Sequence, residues 1–78
     1  LPVVEVSGDE LIVKVGSVEH PMTKEHYIMW ISQVCDNVET KVVLFPEQST
    51  TVHFPYKKEC KIYAYCNPHG LWMTEFKG

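Results

Sequence analysis

Short runs of alternating apolar and polar residues occupy most of the chain. Residues 11–18 place Leu11, Val13 and Val15 on one face of an extended segment, which is the period-2 pattern of a half-buried strand. Residues 2–6 are a β-branched run, and a Ser-Gly-Asp turn separates the two segments. We therefore predict that the first two strands pair as a hairpin or lie side by side in one sheet.

Five further segments have the composition of strands and are separated by turn residues or prolines. They cover residues 27–34, 39–45, 50–54, 61–66 and 71–76. In the first of them, strict alternation puts Ile31 on one face and Ile28 on the other. Seven short strands and no long helix predict an all-β protein, an immunoglobulin-like antiparallel β-sandwich formed by residues 1–78 as a single domain. A small closed barrel is the alternative.

The size and charge of the chain exclude several classes of protein. With 78 residues, it is in the range where a metal or a disulfide often adds to the stability of the core. The net charge is −3 and the basic residues are all lysines, so neither a basic stripe nor a guanidinium group is available for nucleic acid. No apolar run approaches the roughly 20 residues of a membrane span. We expect neither nucleic acid nor a membrane as a partner.

The chain has three cysteines, Cys35, Cys60 and Cys66. Because this number is odd, they cannot form a complete disulfide framework within the chain. The sequence is compatible with one disulfide, either Cys60–Cys66 or Cys35–Cys60, and one remaining thiol. It is equally compatible with Cys35 and Cys60 as small apolar core residues. Scarce cysteine is typical of a reducing compartment, and we predict a cytoplasmic location.

The candidate chemistry is concentrated in the segment Cys66-Asn67-Pro68-His69-Gly70. A thiolate and a neutral imidazole three residues apart in a turn can bind the same metal ion. Pro68 restricts one backbone position of this turn, Gly70 frees another, and Trp72 follows closely enough to shield the site. The alternative is a buried thiol beside a surface imidazole.

Two further histidines, His20 and His26, flank a segment that cannot continue a central strand, because Pro21 has no amide hydrogen. We predict a loop here and a metal site in which both pairs converge; two solvated loop histidines are the alternative. His53 lies inside a predicted strand and is expected to be structural or at the surface. Lys24 is a candidate catalytic residue that attracts a small anion or protonates a bound oxygen species, although a solvated lysine is the simpler interpretation.

Three segments of the chain resemble the superoxide reductase family, the iron-bearing domain shared by desulfoferrodoxin and neelaredoxin. They are residues 16–22 (GSVEHPM), 25–31 (EHYIMWI) and 65–72 (YCNPHGLW). The likeness is ordered and runs along essentially the whole chain, from Pro2-Val3-Val4-Glu5 to the final strand.

The resemblance implies an immunoglobulin-like sandwich carrying non-haem iron, with four equatorial histidines, one axial cysteinate and an open position for superoxide. By motif, His20, His26 and His69 are equatorial ligands, Cys66 is the axial ligand, and Asn67 helps to shape the turn. The implied enzyme is an oxidoreductase for detoxification that reduces superoxide to hydrogen peroxide by one electron, usually supplied by rubredoxin. The family also suggests a homo-oligomer, a dimer or tetramer.

The family pattern contains one more histidine, directly before the position of Leu1, and a glutamate–lysine pair just ahead of it. Neither is in the sequence given. Three explanations stay open: a trimmed piece of a longer protein, which the start at Leu1 favours, a site with three histidines, or a relative without activity. A set of three histidines and one cysteine is expected to bind iron more weakly, or to take zinc in a tetrahedral site.

Two other functions are compatible with these residues. One is a non-catalytic β-sandwich binding module stabilised by zinc or iron. The other is a metal-free sandwich held by a disulfide. The identity of the metal separates the binding module from the enzyme, and the number of reduced thiols tests the disulfide.

Overall fold

A computed structural model describes residues 2–15 and 22–78 of the chain. These residues form seven β-strands: β1 (Pro2–Ser7), β2 (Glu10–Val15), β3 (Ile28–Cys35), β4 (Val38–Val43), β5 (Thr51–Pro55), β6 (Glu59–Cys66) and β7 (Gly70–Lys77). Within the same residues, no helix has the length and apolar character needed to cross a membrane.

The strands are arranged in two antiparallel sheets. One has the order β1-β2-β5 and the other the order β4-β3-β6-β7. The first two strands pair as predicted, from Pro2 opposite Val15 to Ser7 opposite Glu10. Each sheet has its own edge strands, so the described residues form a sandwich rather than a closed barrel. The predicted all-β sandwich is confirmed.

The hydrophobic core lies between the two sheets. Leu11, Val13 and Val15 of β2 are at most 1% exposed, as the alternating pattern predicts. From the facing sheet, Ile31 and Ile62 are fully buried. Removing a large apolar side chain of this kind from water stabilises the fold by about 1.5–3 kcal/mol, so these alternating positions determine which face of each strand points inward.

Strand β3 departs from strict alternation at its beginning. Ile28 and Ile31 belong to opposite faces in the predicted pattern, yet both are 0% exposed. The pairing of β3 with β6 shifts between Ile28 and Trp30, and a bulge of this kind turns one residue back toward the core. The prediction of two simple faces is therefore wrong at Ile28, which is paired with Cys66.

The predicted end of β4 also differs from the structure. β4 ends at Val43, short of the predicted end at residue 45, because Leu44 turns inward and its amide donates to the Met29 carbonyl at 2.9 Å. β2 is observed as far as Val15. The predicted continuation over residues 16–18 and the predicted loop at Pro21 lie outside the described residues.

Candidate metal centre

The turn between β6 and β7 places Cys66 and His69 side by side. Cys66 ends β6 on the inner face that it shares with Ile62 and Ala64, and it is 0% exposed. β7 begins at Gly70, whose φ of 87° is in the left-handed region that glycine adopts without a Cβ clash. The reversal brings Sγ of Cys66 to 3.7 Å from Nδ1 of His69.

His26, from the loop before β3, completes a cluster of three candidate ligands. One donor atom from each of His26, Cys66 and His69 lies within 4.8 Å of the other two. The imidazole rings of the two histidines meet edge to face, with centroids 4.7 Å apart. Nε2 of His26 is shielded from solvent, whereas His69 is exposed. The cluster is therefore buried at Cys66 and reaches the surface at His69.

Asn67 fastens the His26 loop to the β6–β7 turn. Its Oδ1 accepts a hydrogen bond from the Tyr27 amide at 3.0 Å, and its Nδ2 donates to the Glu25 carbonyl at 2.9 Å. Its backbone amide donates to the Tyr27 carbonyl at 3.2 Å. These bonds hold the residues on both sides of His26. Asn67, which directly follows Cys66, therefore helps to determine where His26 lies.

The loop that carries His26 is closed on itself and anchored to the sandwich. Thr23 and His26 exchange two backbone hydrogen bonds, of 3.0 and 3.2 Å. Met22 packs against the core, and its sulfur accepts a hydrogen bond from the Ile28 amide at 3.3 Å. Sequence reasoning missed this role of Met22, although an apolar residue in a polar loop is a signal of anchoring.

Trp72 lies beside the cluster, as its position in the sequence predicts. Its ring stacks on the His69 ring with an interplanar angle of 18° and a centroid distance of 6.1 Å. Trp72 is also partly buried against the core. It therefore adds to the contacts with His26 and Cys66 that restrain the exposed His69 ring.

Of the four ligands predicted from the sequence, the structure brings three together. His26, Cys66 and His69 form the cluster. His20 lies outside the described residues, so its role as a ligand stays a prediction. The three donors alone, one thiol and two imidazoles, are the groups that bind borderline transition metals in proteins.

Two other residues singled out in the sequence are at the surface. Lys24 is exposed in the loop two residues before His26, and its catalytic role stays a prediction. His53 is in β5 of the other sheet, where its Nδ1 lies 3.2 Å from Oε1 of Glu10 and its side chain is 52% exposed. This agrees with the expected surface role of His53.

The three cysteines are buried and are not joined by a disulfide in this structure. A bridge between Cys60 and Cys66 is excluded, because they lie six residues apart on the same strand, a span of about 20 Å at about 3.3 Å per residue. Cys60 and Cys35 are on neighbouring strands at the other end of the sheet.

The fold and the cluster together define a class of protein: a small β-sandwich that gathers a thiol and imidazoles at one end, in the manner of a metal site. The chain belongs to the desulfoferrodoxin family, because the family model described as Desulfoferrodoxin matches residues 1–75. The resemblance inferred from the three motifs is confirmed.

Individual relatives agree with this assignment. The desulfoferrodoxin of Syntrophotalea carbinolica is 41% identical over 76 residues, which are 96% of this chain and 60% of the relative. The superoxide reductase structure from Treponema pallidum is 41% identical, with a TM-score of 0.81 over 94% of this chain and 61% of that one. The superoxide reductase (1Fe-SOR) from Giardia intestinalis is 25% identical, with a TM-score of 0.85 over 99% and 95% of the two chains. This chain spans about 60% of the length of the desulfoferrodoxins that it matches.

Proposed function

We propose that residues 1–78 form one iron-binding domain that reduces superoxide to hydrogen peroxide by one electron. The observation that carries the proposal is the convergence of His26, Cys66 and His69 on one point, in a chain of the desulfoferrodoxin family. The relatives described as superoxide reductases support the choice of substrate.

The donor groups suit a transition metal rather than a hard cation. A thiolate and imidazoles favour iron, zinc or copper, whereas calcium and magnesium require oxygen ligands. The relative from Giardia, a 1Fe-SOR, supports iron among these metals. Ferrous iron held by these residues would supply the single electron that superoxide requires. His20 is proposed as a further imidazole ligand, on the strength of its motif alone.

The chain contributes charge, orientation and partial exclusion of water. The Cys66 side chain points into the sandwich, so its sulfur is shielded and its position is set by β6. Neutral imidazoles add no negative charge, so a metal bound here keeps a net positive charge that attracts an anion. Because His69 is exposed, a small anion can approach from that side.

Lys24 is proposed to attract superoxide or to donate a proton to the reduced product. It is exposed and lies two residues from His26, at the same end of the sandwich as the cluster. A lysine ammonium group in such a place raises the local concentration of an anion, and salt screens this effect over about 8–10 Å. The contribution of Lys24 should therefore shrink at high ionic strength.

The proposal includes an electron donor of the rubredoxin type, a homodimer or homotetramer, and a cytoplasmic location. The family resemblance is the basis for the donor, and the absence of disulfides among the buried cysteines is in keeping with the location. Exposed apolar residues on the outer face of the β4-β3-β6-β7 sheet support association, since Val43, Leu71 and Met73 are 58%, 56% and 42% exposed.

The proposed function is tested by adding known amounts of superoxide to anaerobic protein loaded with ferrous iron. We expect one iron per chain, oxidation complete at one superoxide per iron, and one hydrogen peroxide formed per superoxide without release of oxygen. Oxygen release would indicate dismutation instead. Tightly held zinc, or iron that does not respond to superoxide, would overturn the proposal and leave the non-catalytic metal-binding module.

A further inference from the structure

A second pair of thiols lies at the end of β6 opposite to the metal cluster. β3 and β6 are antiparallel, with Val34 opposite Lys61. Continued by one residue within both strands, this register places Cys35 opposite Cys60. Directly opposed residues in an antiparallel pair have Cα atoms about 4.5–5.5 Å apart, and disulfides join Cα atoms about 4.4–6.8 Å apart. The backbone therefore already has the spacing that a disulfide requires.

The two thiols also meet inside the sandwich. Cys35 and Cys60 are 8% and 7% exposed, and both side chains belong to the core. Burial raises the pKa of Cys60 to about 11, and the neighbouring Cys35 side chain acts in the same direction. Gln33 lies near the pair, with its Nε2 4.0 Å from Sγ of Cys60, and this hydrogen bond lowers the pKa. Cys60 is consequently a protonated thiol at neutral pH, in contact with a second thiol.

Cys60 can be reached from outside by a small molecule. It lines a surface cleft of about 230 Å³ together with Val34 and Phe76. The other residues that line the cleft are charged: Asp36, Glu59, Lys61, Glu75 and Lys77. A cleft of this size admits an uncharged oxidant as small as hydrogen peroxide.

We infer that Cys35 and Cys60 are a modification site, a dithiol that hydrogen peroxide converts into a cross-strand disulfide. The minor fraction of Cys60 that is thiolate attacks one peroxide oxygen, so an S–O bond forms, the O–O bond breaks, and hydroxide leaves and takes up a proton. The Cys35 sulfur then attacks the Cys60 sulfur; an S–S bond forms, the S–O bond breaks, and the leaving hydroxide takes the Cys35 proton. Two thiols lose two electrons, peroxide gains them, and two waters are released.

This modification does not depend on the proposed function. Hydrogen peroxide is the product of the proposed reaction, but any other source would serve, because the dithiol is separated from the metal cluster by the length of β6. Failure of the superoxide test and failure of disulfide formation are therefore independent results.

The test is to treat the reduced 78-residue chain with hydrogen peroxide and to map the cysteines by mass spectrometry. We expect a loss of two hydrogen atoms, a disulfide between the peptides that carry Cys35 and Cys60, and full reversal by a reductant. The midpoint of thermal unfolding should rise by on the order of 10 °C, because the bridge constrains the unfolded chain. The rate should increase about tenfold per pH unit from pH 7 to 9, because the thiolate fraction of Cys60 rises at that rate below its pKa.

Single variants separate the two steps of this reaction. Cys35→Ser should let Cys60 reach the sulfenic acid, which dimedone traps, but should give no bridge. Cys60→Ser should remove both products. Cys35→Ala is a second variant in case the buried serine prevents folding, which circular dichroism detects. The inference is overturned if wild-type Cys35 and Cys60 stay open to alkylation after peroxide treatment, or if the disulfide involves Cys66 or a second chain.

Discussion

Cys66→Ser is expected to abolish the thiolate-to-iron absorption of the iron-loaded protein and to lower its iron affinity by at least about a hundredfold. Cys66 is the sole sulfur donor in the cluster that the described residues form. A serine hydroxyl is not deprotonated near neutral pH, so it cannot replace the thiolate. Even loss of a group that merely orients a ligand costs about 10–100-fold in affinity, and loss of a ligand itself should cost no less. Visible absorption and metal analysis measure both effects.

Cys60→Ser is the matched control for this variant. Cys60 is also buried and lies at the other end of the same strand, where it takes no part in the cluster. The Cys60→Ser protein should lose some stability but keep its absorption band and its iron content. A Cys66→Ser protein that keeps the band, or a folded Cys60→Ser protein that loses it, would contradict the assignment of Cys66 as the thiolate ligand.

Much of the fold can be predicted from the sequence where strands alternate strictly, as β2 does. Leu11, Val13 and Val15 show this pattern, and all three are core residues in the structure. The bulge that returns Ile28 to the core has no such local signal. The bulge is imposed by the partner strand β6. Ile28 pairs with Cys66, whereas the β3 residues from Trp30 onward pair with β6 in a shifted register.

The two halves of the candidate metal centre differ in how far the sequence predicts them. Cys66 and His69 are three residues apart, so a single turn brings them together, and local spacing was enough. His26 is forty residues away, and its arrival at Cys66 depends on the pairing of β3 with β6. No periodicity in the chain specifies that pairing. The convergence of the two segments was a hypothesis from their loop positions, and the resemblance to a family implied the same ligands.

The pairing of β3 with β6 also relates the metal cluster to the dithiol. At one end of this strand pair, the loop entering β3 meets the turn leaving β6, which brings His26 to Cys66. At the other end, the same register brings Cys35 opposite Cys60. One shift of register between these two strands would separate both pairs, so this single pairing controls both candidate sites.

Asn67→Ala is expected to lower the iron affinity by about 10–100-fold and the free energy of unfolding of the metal-free protein by about 1–2 kcal/mol. The change removes the two side-chain hydrogen bonds to Tyr27 and Glu25, each worth about 0.5–1.5 kcal/mol in general, and both hold the loop of His26. Once that loop moves, His26 no longer converges with Cys66. The iron affinity should then fall by the amount expected when a group that orients a ligand is lost. Chelator competition measures the affinity, and denaturant titration measures the stability.

Two further substitutions show whether Asn67 positions the ligand or only stabilises the fold. Asn67→Asp keeps an acceptor for the Tyr27 amide but cannot donate to the Glu25 carbonyl, so its iron affinity should lie between those of wild type and Asn67→Ala. Asn37→Ala changes an exposed asparagine in the turn between β3 and β4, at the end of the sheet away from the cluster. It should leave iron affinity unchanged whatever it does to stability. If Asn67→Ala and Asn37→Ala had the same iron affinity, the hydrogen bonds of Asn67 would be part of the fold and would not hold His26 in place for the metal.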